Sequence, residues 1–440
     1  MNSGSILQIS RTMAAFIVLA ATASADNEFR VDNGVVKRGS SEYTIRSIYV
    51  PDLAKPGAPI ADVYRGMNRA ADVGAPAPCF DLYGVSEDGR SISKEAADAV
   101  RQIRDIGSGR GMVGVVRVFG PYAPKTEKAR IQAAKTIAKE FRKDQDLVYL
   151  LEGPDSARLA REIHRRAPGL MLVSPEGGDV QIVSDPEAAA DRPALLLGAL
   201  PPALVEQAHF ILPQYDEYYE LLDLANVLPA ENYSWTPDNS VLTPAEAAEG
   251  WIALFDGKTL NGWTVLGDSQ AAWQVHDGIL ERVSGGSRGL RTIDRYGNFV
   301  LRWEWTLPKG GNNGVHLRAP RSARASRIGM EYQMLGDYGN EPDKNSTGSI
   351  YDVEAPSVNA VKPLGEWNVS EVTLNGSQLR YVLNGTVVQD RNLYEHDELK
   401  VRLPRGFIVL TEHNDSVMYR NIRIKPLPTP DEQMAVPAQW

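Results

Sequence analysis

The apolar residues of this chain change their period near residue 230, and that change constrains the fold more than any other feature. Upstream they form short unbroken runs, among them Met112-Val-Gly-Val-Val-Arg-Val-Phe119, Leu147-Val-Tyr-Leu-Leu151 and Leu170-Met-Leu-Val173. Unbroken β-branched runs are what strands buried on both faces require. Charged amphipathic stretches at Ile60–Ala71, Lys125–Arg142 and Ala157–Arg166 separate them and read as helices. Strand, helix and strand joined by short connections predict a parallel α/β domain over residues 26–225, a reduced (β/α) barrel or an open sheet. An Asn33-Gly34 turn between two extended runs predicts a hairpin ahead of it.

Downstream the pattern alternates. In Phe299-Val-Leu-Arg-Trp-Glu-Trp-Thr-Leu307, every second residue is apolar, as in a half-buried strand. Asn384-Gly385, between Leu379–Leu383 and Thr386–Asp390, is a type I′ hairpin signal. Further strands are expected at Gly314–Ala319, Met330–Leu335, Ser349–Ala355, Phe407–His413 and Val417–Pro426. Many short strands without a long helix predict an all-β sandwich or jelly roll. All eight tryptophans stand at Trp235 or later, which sharpens the contrast between the halves. Pro, Asn and Ser clusters over residues 226–249 mark a linker, and 428–440 a tail.

Charge and cysteine content exclude several classes. With 47 basic against 56 acidic residues the net charge is −9, which disfavours a nucleic-acid partner. Cys79 is the single cysteine, so no intramolecular disulfide can form, and it is expected to be a buried small hydrophobe. Arg11, the apolar run Met13–Ala21, and Ala23 and Ala25 before a cut after residue 25 read as a secretory signal peptide. That run is too short to span a bilayer, and the expected location is secreted or periplasmic.

Function in parallel α/β folds sits at the carboxyl ends of strands. Those ends carry Glu152, Asp155, Glu176, Asp216 and Glu217, and Glu152 is the candidate acid of the first domain. The ordinary alternative is that these are solvated loop residues or helix caps. In the second half, alternation sends Val315, Leu317, Met330, Tyr332 and Met334 inward. If the strands are neighbours, Arg302, Glu304, His316, Arg318, Glu331 and Gln333 then share one face that can hydrogen-bond sugar hydroxyls.

The ordered motifs of the second half resemble one family. They are Gly250-Trp-Ile-Ala-Leu-Phe-Asp-Gly-Lys-Thr-Leu-Asn-Gly-Trp263, Gly310-Gly-Asn-Asn-Gly-Val-His-Leu-Arg-Ala-Pro320, Gly329-Met-Glu-Tyr-Gln333, Gly365-Glu-Trp-Asn368 and Arg420–Leu427. Over about residues 250–427 the chain resembles the 3-keto-disaccharide hydrolase domain family. The resemblance implies a concanavalin-A-like jelly roll with a sugar-binding face and action on glycosides oxidised to a ketone at C3. Two departures are Thr411-Glu-His413 in place of Gln-Asp-His and Ser349-Ile-Tyr-Asp352 in place of Ala-Leu-Tyr-Gly.

A ketone at C3 acidifies the C2 hydrogen, so the chemistry needs a base, an acid for the leaving oxygen and a group facing the enolate. Glu331 and His413 are the candidate base and acid, in either order, and Arg318 the candidate cation. Arg302, Glu304, Asn312, Asn313, His316, Gln333 and Tyr351 are candidate sugar contacts. No cofactor is required, and a divalent metal at Glu331 and the histidines has no compact ligand motif behind it. The expected partner is an oligosaccharide or glycoside substrate. The competing reading is a non-catalytic carbohydrate-binding sandwich that serves a glycosidase-like first domain.

Overall fold

The structure, a computed structural model, describes residues 28–32, 35–153, 155–183, 194–197, 209–212, 235–266, 272–283, 289–411, 413 and 415–428. The segment expected as a signal peptide, the Asn33-Gly34 turn, Asp216 and Glu217 lie outside them. No helix among the described residues is long and apolar enough to cross a membrane. The chain divides into two compact units, with the main boundary between residues 222 and 223.

The first unit opens with a three-stranded antiparallel sheet of β1 (Phe29–Asp32), β2 (Val35–Arg38) and β3 (Ser41–Glu42). Strands and helices then alternate: β4 (Arg46–Ile48), α1 (Ile60–Asp72), β5 (Cys79–Asp81), α2 (Lys94–Arg110), β6 (Val115–Arg117), α3 (Glu127–Phe141), β7 (Val148–Leu150), α4 (Ser156–His164) and β8 (Met171–Ser174). Strands β9 (Val180–Val183), β10 (Ala194–Leu197) and β11 (His209–Leu212) follow. The eight strands β4–β11 form one parallel sheet in the order β4-β11-β10-β9-β8-β7-β6-β5. A parallel bridge between Tyr49 and Cys79 also joins the end of β4 to β5.

Every residue of β5, β7 and β8 is buried, which is why their sequences are unbroken apolar runs. One face packs Cys79, Val115, Val148, Leu150, Met171, Val173 and Val180 into a single cluster that Phe29 and Val36 join. Cys79 is 1% exposed within it, the buried hydrophobe expected of a lone cysteine, and burial raises its thiol pKa. The long run at Met112–Phe119 yields only the short strand β6, since a turn begins at Val118.

The second unit is antiparallel throughout. Its strands are β12 (Ile252–Ala253), β13 (Trp263–Val265), β14 (Trp273–His276), β15 (Ile279–Arg282), β16 (Leu290–Tyr296), β17 (Phe299–Thr306), β18 (Asn312–Ala319) and β19 (Met330–Leu335). Then come β20 (Asn368–Asn375), β21 (Gln378–Leu383), β22 (Thr386–Asn392), β23 (Gly406–Leu410) and β24 (Val417–Pro426). Two sheets result. One runs β14-β15-β24-β17-β20-β21-β22, with β12 also on β24; the other runs β13-β16-β23-β18-β19.

The sheets pack face to face as a β-sandwich, with Trp303 of the larger sheet edge-on to Tyr332 of the smaller at 4.9 Å. Trp305 Nε1–H donates to Ser370 Oγ at 2.9 Å, and that hydroxyl donates to Tyr332 Oη at 2.9 Å, so the buried polar tips satisfy one another. The Asn384-Gly385 hairpin forms as expected, with φ of 51° and 82° at its two central residues. Ser349–Ala355 does not become a strand. Ile350 makes isolated bridges to Tyr332 and Glu354, and turns occupy the rest of the segment.

Candidate functional site

The register of β18 on β19 sets His316 opposite Glu331 and Gly314 opposite Gln333. Val315 and Leu317, 1% and 0% exposed, point into the sandwich, so His316 and Gly314 take its outer face. His316 Nε2 lies 3.4 Å from Glu331 Oε2. Glu331 is only 6% exposed. Its carboxylate lies over Gly314, where a Cβ would stand 2.4 Å from Oε1. A side chain at 314 would therefore occupy the place of the carboxylate.

Two amides continue this face. Gln333, 3% exposed, donates from Nε2 to Asn312 Oδ1 at 3.1 Å. The Asn312 N–H donates to Asp415 Oδ2 at 3.0 Å, and the Thr411 N–H donates to Gly314 O at 3.0 Å. The segment bearing half-buried His413 is thus pinned on both sides to the stretch of β18 beside Glu331. Tyr351 approaches from the other edge of β19, its N–H donating to Glu331 O at 3.0 Å. Next to it Asp352 bonds Lys344 Nζ at 2.6 Å and also pairs with Arg327. The hydrogen bond from Lys344, with help from Arg327, holds the Asp352 carboxyl below its usual range.

Asn312, His316, Glu331 and Gln333 are therefore brought together, with Tyr351 and His413 on backbone that bonds to the same two strands. Four other expected residues fall elsewhere. Arg318 has φ of 52° and sits where the β18–β23 register shifts between His316 and Ala319. This bulge interrupts the alternation that would have put Arg318 beside His316. Its guanidinium instead donates to Gly297 O at 2.9 Å, Gly376 O at 3.3 Å and Asn298 Oδ1 at 3.5 Å, tying three turn acceptors together. Burial pushes its pKa down to about 10. Arg318 is a cation of the sandwich's end rather than of the His316–Glu331 face.

Arg302 and Glu304 belong to the larger sheet, because β17 pairs with β20 and β24 and not with β18. There Arg302 bonds Glu371 at 2.6 Å, and Glu304 bonds Arg420 at 2.7 Å and Asn421 at 2.7 Å. Trp303 and Trp305 separate them from the smaller sheet, so they occupy the opposite outer surface as cross-strand ion pairs. Asn313 is wholly buried, its Oδ1 accepting from the Gly314 N–H at 2.9 Å, Tyr419 Oη at 2.9 Å and Thr411 Oγ1 at 3.1 Å. It is an interior knot that a sugar does not reach. Sequence reading missed Asp415 and the role of Gly314. The glycine between Asn313 and Val315, in an otherwise regular strand, was the available signal for the latter.

In the first unit Glu152 follows the carboxyl end of β7 and accepts from Arg117 Nε at 2.5 Å. Arg117 Nη1 is 3.6 Å from Asp81 Oδ1, and Tyr49 Oη donates to Asp81 Oδ2 at 2.5 Å. Asp155 pairs with Arg130, whose Nε donates at 2.8 Å, while Ser174 Oγ donates to Glu176 O at 2.7 Å. Among the described residues no group of three or more His, Cys, Asp or Glu side chains is placed to hold a metal ion.

Comparison with known proteins bears on the second unit. Residues 250–425 match the family model described as 3-keto-alpha-glucoside-1,2-lyase-like domain, which shows the family resemblance read from the motifs. A 3-keto-disaccharide hydrolase of Bacteroides thetaiotaomicron is 29% identical over 248 residues, spanning 43% of this chain and 82% of that protein. A solved candidate glycosyl hydrolase from Parabacteroides distasonis is 28% identical, covering 43% of this chain and 99% of its own, with a TM-score of 0.37. A second from the same organism is 26% identical over 40% of this chain and 99% of its own, also with a TM-score of 0.37.

Proposed function

We propose, taking the 3-keto-alpha-glucoside-1,2-lyase-like match of residues 250–425 as the premise, that the sandwich cleaves the glycosidic bond of 3-keto-glycosides. The observation that carries this reading is the His316–Glu331 pair over Gly314, a carboxylate withdrawn from bulk water on a face otherwise lined by amides. Glu331 removes the proton from C2, which the adjacent ketone acidifies. The electrons pass to the C3 oxygen as an enolate and return to expel the C1 substituent, leaving a C1–C2 double bond conjugated with the ketone. Water then adds at C1 and a proton at C2, so the net change is hydrolysis without an oxocarbenium ion.

His316 orients the Glu331 carboxylate, and His413 serves as the acid for the departing oxygen. With Arg318 committed to turn acceptors, Asn312 and Gln333 are the neutral amides that share the two strands of the pair. This arrangement uses no cofactor. The parallel strands of the first unit fit a (β/α) barrel, since β5–β11 pair in sequence order and the Tyr49–Cys79 bridge brings β4 back to β5. Arg11, Met13–Ala21 and Ala25 support export, which the amino-terminal sequence of protein recovered outside the cytoplasm tests.

The direct test of the site is Glu331→Gln, which keeps shape and hydrogen bonding but removes the basic carboxylate. Turnover of a 3-keto-glucoside should fall by roughly 10²–10⁴-fold with little change in binding. Full turnover by Glu331→Gln would remove Glu331 from the mechanism. Saturable sugar binding without any turnover by the parent chain would favour the non-catalytic reading instead.

A further inference from the structure

We propose that the first unit carries a separate carbohydrate site at the carboxyl ends of β4–β7, one that binds a neutral pyranoside without cleaving it. Two sets of side chains meet there. Tyr49, Asp81, Arg117 and Glu152 form a continuous polar chain, with contacts of 2.5, 3.6 and 2.5 Å. Beside it Tyr83 and Tyr122 stack at 4.3 Å with planes 31° apart, and Tyr83 Oη donates to Asp52 Oδ1 at 2.6 Å. Tyr122 is 48% exposed. An exposed aromatic face next to ordered carboxylates and a guanidinium is what a sugar ring requires, its C–H face on the ring and its hydroxyls on the charges.

The platform is placed by a close approach. A Cβ at Gly120 would stand 2.3 Å from Asp81 Oδ1, so the loop carrying Tyr122 comes this near only because residue 120 is glycine. Asp81 itself is 2% exposed and held by Tyr49 and Arg117. A cleft of about 280 Å³ opens beside Glu152, walled by Phe119 and Leu159, close to the lower limit of ligand pockets.

The polar groups choose the ligand. Asp52 pairs with Lys55, Asp155 with Arg130, and Asp81 and Glu152 share Arg117, while Lys125 lines the cleft, so the charges of the site balance. A neutral sugar meets paired donors and acceptors there, while an ionised one would be desolvated with no complementary excess charge to receive it. The same geometry argues against cleavage. Asp81 and Glu152 are both taken up by the same guanidinium, Arg117, so neither stands alone across a substrate space as the acid and base of a glycosidase do. The site needs no ketone in its ligand and so stands apart from the chemistry proposed for the sandwich.

The test is calorimetric titration of the full chain with methyl α- and β-glucopyranoside, methyl β-galactopyranoside, maltotriose and cellotriose, and with methyl glucuronide as the acidic control. At least one neutral sugar should bind saturably, and the glucuronide should not. Tyr122→Ala, an exposed position whose fold far-ultraviolet circular dichroism verifies, should raise that Kd about tenfold. Tyr83→Phe, which frees Asp52, should weaken it as well. Absence of saturable binding across the neutral panel, equal binding of the glucuronide, or a Tyr122→Ala chain that binds like the parent would overturn the proposal.

Discussion

Gly314→Ala isolates the placement of Glu331 from the stability of the fold. The added methyl would lie 2.4 Å from Glu331 Oε1 and 3.1 Å from its Cδ and Cγ. An ordinary carbon–oxygen contact is roughly 1 Å longer, so the carboxylate must retreat by about that much. The backbone at 314 lies outside the left-handed region, and the displaced atoms end a flexible side chain. The fold should survive, because an overpacking cost of about 1–3 kcal/mol is partly offset by the roughly 0.5–1 kcal/mol that Ala gains over Gly within a strand. Catalysis should not survive intact. A misplacement of about 1 Å of a reacting group costs roughly 10²-fold, or about 2.7 kcal/mol of barrier. The assay is kcat for a 3-keto-glucoside in parent and variant, alongside the denaturation midpoint. A large loss of kcat at a modestly lowered midpoint is the expected result. An unchanged kcat would refute the claim that the carboxylate acts from its place over Gly314.

Asn313→Ala should cost about 2–3 kcal/mol in urea denaturation, since Tyr419 and Thr411 lose a buried acceptor; a loss under about 0.5 kcal/mol would show the knot to be dispensable. Arg318→Lys should lower the denaturation midpoint through lost turn contacts yet leave the pH dependence of kcat in place, and a shifted pH profile would return Arg318 to the chemistry. Asp352→Asn should destabilise at neutral pH. Lys344 and Arg327 hold the folded-state pKa below the unfolded one, so the stabilisation is present above about pH 4 and is lost as pH falls through the folded value. Melting curves of parent and variant should therefore converge in acid, and a gap that persists there would contradict the assignment.

Where alternation held, the sequence disclosed the candidate site. His316, Glu331 and Gln333 follow from period two alone, because β18 and β19 pair in regular register up to Leu317. The same rule failed at Arg318, where a single left-handed residue redirects the side chain and no Gly or Asn marks it. Arg302 and Glu304 were sorted correctly away from Trp303 and Trp305, but period two cannot say which sheet a strand joins. That depends on the pairing of β17 with β20, residues remote in sequence. In the first unit three helices appear near their expected limits, while α2 was not anticipated. Its signals were local: Ser93 caps the Ala96 N–H at 3.3 Å, and Gly111 ends the helix at φ of 68°. Its buried stripe mixes Ala96, Ala97, Val100 and Ile103 with Gly107 and Arg110, which dilutes the apolar period.

The measurement that bears most directly on the enolate route is turnover of a 3-keto-glucoside in deuterium oxide, with the released keto-sugar read by proton NMR. Removal of the C2 proton followed by rehydration predicts deuterium at C2, while the matching unoxidised glucoside stays intact. Cleavage of both sugars at similar rates, with the C2 proton retained, would contradict the enolate mechanism and point to a two-carboxylate glycosidase instead.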